Sequence, residues 1–174
     1  MNLPNKLTLL RIILVPVFVV LYMKEYFWIA LAVFLIASLT DMLDGKIARK
    51  RNLVTNFGKI MDPLADKILV YSAFCLFVAG GVMPAWMLIV ILFREFLVAG
   101  IRTVAAGDGK VIAAGMSGKI KTVLQMIAVC LMIISGLHHI VRIISLVFLW
   151  ASLVMTVYSG AEYTIKNVSV FKAN

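Results

Sequence analysis

Six apolar segments, at about 7–23, 26–45, 63–79, 82–105, 119–137 and 140–161, fill most of the chain, and charged residues collect mainly at their ends. Long apolar runs of this kind point to a polytopic membrane bundle rather than a soluble domain. A helix needs about 20 residues to span a hydrocarbon layer of ~30 Å. Several uncharged runs here are shorter, so their polar ends must sit at the membrane surface. The expected fold is all-α: one polytopic domain over residues 1–174, built as a six-helix transmembrane bundle. A hydrophobic content of 63% supports this, against roughly 45–50% in soluble domains.

The breaks between segments are legible. Lys24-Glu25 marks a tight turn after the first span, Gly80-Gly81 with Pro84 divides the third from the fourth, and Gly136 to His139 divides the fifth from the sixth. The first segment, MNLPNKLTLLRIILVPVF, meets no small-residue cleavage site before Lys24 and is read as a retained helix rather than a cleaved signal. The sequence shows neither an internal repeat nor a low-complexity tract.

Net charge is +9, from 17 Lys and Arg against 8 Asp and Glu. Because the cations flank apolar segments, anionic headgroups explain them better than nucleic acid does. Lys46, Arg49, Lys50, Arg51 and Lys59 fill one connection, and Arg102, Lys110, Lys119 and Lys121 a second, whereas the connection near 80–84 carries no charge. The positive-inside tendency then places both termini and both basic connections on the cytoplasmic side. Cys75 and Cys130 lie in apolar stretches and are read as buried small hydrophobes.

Within this apolar chain, half of the eight acidic residues fall between positions 41 and 66. Asp41, Asp44, Asp62 and Asp66 follow the pattern D-x2-D-G-x2-A-R-x8-G-x3-D-x3-D. Carboxylates at the edge of a bilayer are costly without water, a partner or a metal. On helices, spacings of three and four put each pair on one face. The first pair ends the second span and the second pair opens the third, with Pro63 suited to a first helical turn. An all-oxygen donor set favours Mg²⁺ or Mn²⁺ over Zn²⁺. Gly45 and Ala48 leave room for close approach by a ligand, Arg49 can grip a phosphate with its planar fork, and Gly58 either does likewise or shapes the connection. A pair of metal ions bridging phosphates suits in-line phosphoryl displacement, with one unsaturated carboxylate as base on an incoming alcohol.

The pattern Asp41, Asp44, Gly45, Ala48, Arg49, Gly58, Asp62, Asp66 resembles, complete and in spacing, the signature of the CDP-alcohol phosphotransferases. The segments NLPNKLTLLRIILVP, FREFLVAGIR, SGKIKTVLQM and YSGAEY are similar to the bacterial members that form phosphatidylglycerophosphate. The resemblance covers nearly the whole chain. It implies transfer of a phosphatidyl group from CDP-diacylglycerol to sn-glycerol 3-phosphate, with release of CMP, at the cytoplasmic face of a bacterial membrane. It also implies two divalent ions on Asp41, Asp44 and Asp62, Asp66 as a further ligand and as base, a CDP pocket lined by Gly45, Ala48 and Gly58, and a homodimer. Asp62 and Asp66 would then be the catalytic pair, while Asp41, Asp44 and Arg49 would contact CDP.

Beyond the motif, Arg94 and Glu95 interrupt the fourth span; they are read as functional groups or as a structural ion pair. Arg94, Arg102, Lys119 and Lys121 are candidates for the acceptor's phosphate, with ordinary flanking charge as the alternative. Asn5, Thr8 and Arg11 open the first span and either contact a nucleotide or lipid phosphate or cap and anchor the helix. Thr122 and Gln125 are candidates to face the cavity. His138 and His139 lie in a turn away from the acids, and Tyr158 and Tyr163 read as interfacial belt residues. Three rival readings remain: a sister enzyme taking inositol phosphate, serine or a second phosphatidylglycerol; a carboxylate-based ion translocator; and a non-catalytic lipid-binding scaffold.

Overall fold

The computed structural model of the chain describes residues 3–50, 56–107, 109, 112–113 and 115–168; for residues 3–6, 41–50, 56–60, 62, 63 and 66 it describes the helical backbone alone. Among these residues six helices follow one another: α1 (Leu3–Met23), α2 (Phe27–Lys50), α3 (Asn56–Ala79), α4 (Ala85–Gly107), α5 (Met116–Ile133) and α6 (His139–Lys166). Among the described residues there is no strand. Among them, too, α5 and α6 are long and apolar enough to cross a membrane, while shorter apolar stretches run through α1, α2 and α3.

Local chemistry sets the turns. After Met23 the chain reverses through Glu25, which takes a positive φ of 63°. That left-handed residue lets the N–H of Tyr26 close on the carbonyl of Leu21 at 3.0 Å. At the end of α3, Gly81 (φ 69°) performs the same reversal, and the N–H of Val82 reaches the carbonyl of Phe77 at 2.9 Å. This is the usual glycine solution for satisfying the last carbonyls of a helix. Pro84 then precedes α4, where a residue without an N–H costs little.

Helix ends depart from the apolar runs in an instructive way. α2 and α3 continue well past their apolar stretches, to Lys50 and back to Asn56, because hydrogen-bonded backbone needs no apolar side chains outside lipid. Pro63 therefore falls inside α3 rather than in its first turn. α5 stops at Ile133, short of the expected 137, because both the N–H and the Oγ of Ser135 donate to the carbonyl of Met132, at 3.2 and 2.8 Å.

Aromatic side chains from the first three helices build the centre of the core. The Phe18 ring of α1 sits 5.6 Å from that of Phe34 on α2, and Tyr22 of α1 sits 5.7 Å from Phe77 of α3. Such tilted and edge-on pairs add to the packing itself. α1 contributes the stripe Thr8, Arg11, Val15, Phe18 at helical spacing, all buried. Outward faces remain apolar: Ile89, Phe93 and Phe96 of α4 and Ile140, Val147 and Val154 of α6 are all exposed. A bundle apolar both inside and outside is suited to a lipid surround.

Three cross-links show which ends lie together. The Arg11 Nε donates to the carbonyl of Ala37 at 3.2 Å, Lys67 of α3 meets Glu95 of α4 at 3.4 Å, and Ser117 of α5 donates to Glu162 of α6. These links pair the start of α1 with the end of α2, the start of α3 with the far half of α4, and the start of α5 with the end of α6; Lys121 of α5 on Glu95 joins the last two pairs, and contact of α1 with α3 brings the first pair alongside. A smaller apolar cluster of Val98, Ile101 and Tyr163 joins α4 to α6 at that end.

Candidate active site

A concavity of about 950 Å³ opens at this shared end between α4, α5 and α6, with Lys67 of α3 in its lining. Its charged lining is Lys67, Arg94, Arg102, Lys119 and Lys166 against Glu95 and Glu162, a clear cationic excess. Backbone at Gly115 and Gly118 forms part of the wall, so the start of α5 faces the cavity. The first turn of a helix carries unpaired N–H groups and the positive end of its dipole, which adds to the attraction for an anion.

Each cation is held by a different device. Arg94 passes between two glycines of neighbouring helices: a Cβ at Gly160 would stand 2.9 Å from its Cγ, and one at Gly118 would stand 3.2 Å from its Nη2. Its Nη1 donates to Glu95 Oε1 at 2.7 Å. The Lys121 ammonium, with a side chain only 5% exposed, donates to the same oxygen. Arg102 donates from Nε to the Tyr163 hydroxyl at 3.1 Å, and its guanidinium lies 5.5 Å from the centre of that ring. Lys119 is exposed and lines the cavity. On the far wall Glu162 accepts from Ser117 and from Lys166 one turn away.

Three of the four acceptor candidates, Arg94, Arg102 and Lys119, therefore line one cavity, whereas Lys121 is turned against Glu95 behind its wall. Arg94 and Glu95 do form an ion pair, and the pair lies on the cavity rather than remote from it. Thr122 lines the cavity with its hydroxyl committed to the Gly118 carbonyl at 3.0 Å, while Gln125 is buried elsewhere in the bundle. Tyr163 is not a belt residue: it is 8% exposed and supports Arg102. Tyr158 is exposed, as a belt residue would be. Cys75 is exposed rather than buried, facing outward from α3, and both described cysteines are free thiols.

Thr8 and Arg11 are fully buried on α1, with Arg11 bonded to the carbonyl one turn before Asp41. The side chain of Asn5 lies outside the described residues. So do those of Asp41, Asp44, Gly45, Ala48 and Arg49, which sit on the last turns of α2, and of Gly58, Asp62 and Asp66, which sit on the first turns of α3. α2 and α3 are in contact, and Lys67, directly after Asp66, reaches into the cationic cavity. Among the described residues no cluster of His, Cys, Asp or Glu could hold a metal ion.

Sequence reasoning missed Lys67, Ser117, Glu162 and the two glycines around Arg94. Lys67 resembled flanking charge, and a slot made by glycines on two different helices has no signature in either one. Glu162 did carry a signal, as the only acid in the last 66 residues.

The chain is similar to curated proteins over nearly its whole length. A CDP-diacylglycerol–glycerol-3-phosphate 3-phosphatidyltransferase of Bacillus subtilis is 46% identical, over 99% of this chain and 98% of its own length. Proteins of the same name from Rickettsia typhi and Rickettsia prowazekii are each 38% identical over 93% of the chain, and the chain covers 94% and 93% of them. The family model described as CDP-alcohol phosphatidyltransferase matches residues 1–158, so the chain belongs to that family.

Proposed function

We propose that the protein transfers the phosphatidyl group of CDP-diacylglycerol to sn-glycerol 3-phosphate, giving phosphatidylglycerophosphate and CMP. The observation that carries this reading is the cationic cavity of α4, α5 and α6, at the bundle end where α2 and α3 bear the aspartate motif. An acceptor that is itself a dianion needs such a surplus of cations close to four carboxylates. Relatives named for this reaction, similar over nearly their whole length, support the same acceptor.

In this reading all six helices span the bilayer, with both termini and the two basic connections on the cytoplasmic side, and the reaction runs at that face. Chain 1–174 acts as one catalytic unit and pairs as a homodimer. Asp41, Asp44, Asp62 and Asp66 would hold two divalent ions, Mg²⁺ or Mn²⁺. Four carboxylates at three- and four-residue spacing on two touching helices are a donor set that fits hard, oxygen-seeking cations. Bound there, the ions would supply charge stabilisation to the attacking and leaving oxygens of an in-line displacement.

The chain's own groups do the rest. Arg94, Arg102 and Lys119 bind the acceptor's phosphate and hold its free hydroxyl toward the start of α3. Asp66 takes the proton of that hydroxyl as its oxygen bonds to the phosphorus of the phosphatidyl group. The bond from that phosphorus to the CMP oxygen breaks, and Arg49 stabilises the charge leaving with CMP. Gly45, Ala48 and Gly58 admit the cytidine diphosphate close to the backbone. Asn5, Thr8 and Arg11 support the lipid or nucleotide phosphate from α1.

The test is an assay of purified protein in detergent with CDP-diacylglycerol, Mg²⁺ or Mn²⁺, and competing acceptors. Metal-dependent CMP release with phosphatidylglycerophosphate as the lipid product is expected from glycerol 3-phosphate alone. Release with inositol phosphate, serine or phosphatidylglycerol instead would move the protein to a sister activity. No release from folded protein with any acceptor would defeat the enzymatic reading.

A further inference from the structure

Glu95 stands where three helices meet. Its side chain is 12% exposed, its Oε1 accepts from Arg94 Nη1 at 2.7 Å and from the Lys121 ammonium, and its Oε2 faces the Lys67 ammonium at 3.4 Å. Three cations surround one carboxylate, so two positive charges remain uncompensated among the described residues. An ion pair serving only to neutralise a buried charge would be one to one, because each surplus buried charge is expensive. Arg94 and Lys67 of this trio line the open cavity, where their charge is available to an anion from outside.

We propose that Glu95 is a positioning residue for the phosphate-bearing acceptor, holding Arg94, Lys67 and Lys121 in one fixed array that ties the acceptor cavity to the turn of α3 carrying Asp66. The proposal rests on the acceptor reading given above. Arg94 has its stem held against Gly160 and its Nη2 beside Gly118, its Nε is enclosed with no partner among the described residues, and its Nη1 bonds Glu95, which sets the rotation of its fork. Lys121, buried on α5, is fixed by the same oxygen. Lys67 is 40% exposed and would wander as a free surface lysine, but the second oxygen draws it across to α4. Because Lys67 follows Asp66 in the chain, their Cα atoms are about 3.8 Å apart. Donors fixed in advance of binding spare the acceptor the cost of ordering them.

Glu95→Gln, which keeps the shape and removes the charge, and Glu95→Asp, which keeps the charge and shortens the reach, test this in detergent-solubilised full-length protein. Steady-state kinetics would vary glycerol 3-phosphate and CDP-diacylglycerol separately, and thermal unfolding would be followed with and without inorganic phosphate. In Glu95→Gln the KM for glycerol 3-phosphate is expected to rise about tenfold, the worth of one charge-assisted hydrogen bond, with the KM for CDP-diacylglycerol within about twofold of wild type. Glu95→Asp should recover part of the loss. Phosphate should raise the Tm of wild type and do so less in Glu95→Gln. A fall in kcat with both KM values kept, or a lower KM for the acceptor, would overturn the positioning role. If Glu95→Gln does not fold, Glu95→Asp decides: an unchanged acceptor KM there overturns the proposal. Wild type releasing no CMP with glycerol 3-phosphate would overturn the acceptor reading instead, and Glu95 would then stand or fall on whether phosphate stabilisation depends on it.

Discussion

Gly160 of α6 and Arg94 of α4 occupy one slot, so close that a Cβ on the glycine would lie 2.9 Å from the arginine Cγ. The contact falls at the base of the side chain, where it cannot swing aside as a flexible tip would. Gly160→Ala should therefore push the guanidinium off Glu95 and out of the cavity wall. Helix propensity alone would favour alanine by about 1 kcal/mol, so a protein that stays folded but loses acceptor use would isolate the steric effect. The expected result is a rise of about tenfold in the KM for glycerol 3-phosphate, matching one lost charge-assisted hydrogen bond, with helical content by circular dichroism unchanged. Wild-type kinetics in Gly160→Ala would show that Arg94 has room to yield.

Arg102 and Tyr163 give a second, graded comparison. The hydroxyl accepts from the guanidinium at 3.1 Å while the ring lies 5.5 Å from it. Tyr163→Phe keeps the ring and removes one neutral acceptor, so the acceptor KM should rise by no more than about fivefold. Arg102→Gln removes the charge that faces the cavity and should cost about tenfold or more. If the two variants are equally impaired, Arg102 acts through Tyr163 packing rather than through its charge.

Among the described residues the six helices and the turns at Lys24-Glu25, Gly80-Gly81 and Gly136 to His139 were legible because glycine, proline and charged residues interrupt the apolar runs there. Helix ends were less so: polar residues outside lipid neither end a helix nor announce its continuation, which is why α3 begins at Asn56 rather than near Pro63. Arg94 stood out because a cation inside an apolar span has to be explained, and Arg102 and Lys119 because a dianionic acceptor needs cations near four carboxylates. Lys67 did not, since one lysine beside an aspartate at a helix start looks like any flanking charge. Tyr163 was misread for a related reason: an aromatic at the polar end of a span suits the membrane interface, and only its neighbour on α4 shows that it faces inward. Chemistry concentrated in one segment is readable from that segment, while a slot or a hub made by several helices is not.

Arg11 is fully buried and its Nε donates to the carbonyl of Ala37, one turn before Asp41. A lysine carries its charge on a single terminal nitrogen and cannot place a donor along the stem as Nε does. Arg11→Lys should thus loosen the junction of α1 with α2, at a cost of about 1.5–3 kcal/mol for a hydrogen bond to a charged group. Thermal unfolding in detergent should show a lower Tm, and the KM for CDP-diacylglycerol should rise more than that for glycerol 3-phosphate. An unchanged Tm would mean that this bond contributes little to holding α1 against α2.

Asp41 and Asp66 lie on different helices and are expected to fail in different ways. In the proposed mechanism Asp66→Asn keeps an oxygen donor but removes the group that takes the acceptor's proton, a contribution of about 10²–10⁴-fold for general-base catalysis. Turnover should fall within that range while CDP-diacylglycerol still protects the protein against thermal unfolding. Asp41→Asn weakens the donor set itself, so the concentration of Mg²⁺ or Mn²⁺ needed for half-maximal activity and the KM for CDP-diacylglycerol should rise together. Chelation with EDTA should abolish CMP release in wild type, and re-addition of either ion should restore it, because hard divalent cations exchange readily at carboxylate sites exposed to water. Titrating metal against both variants at saturating acceptor separates the two roles. An unaltered metal requirement in Asp41→Asn would remove Asp41 from the donor set, and near wild-type turnover in Asp66→Asn would assign the proton to another group.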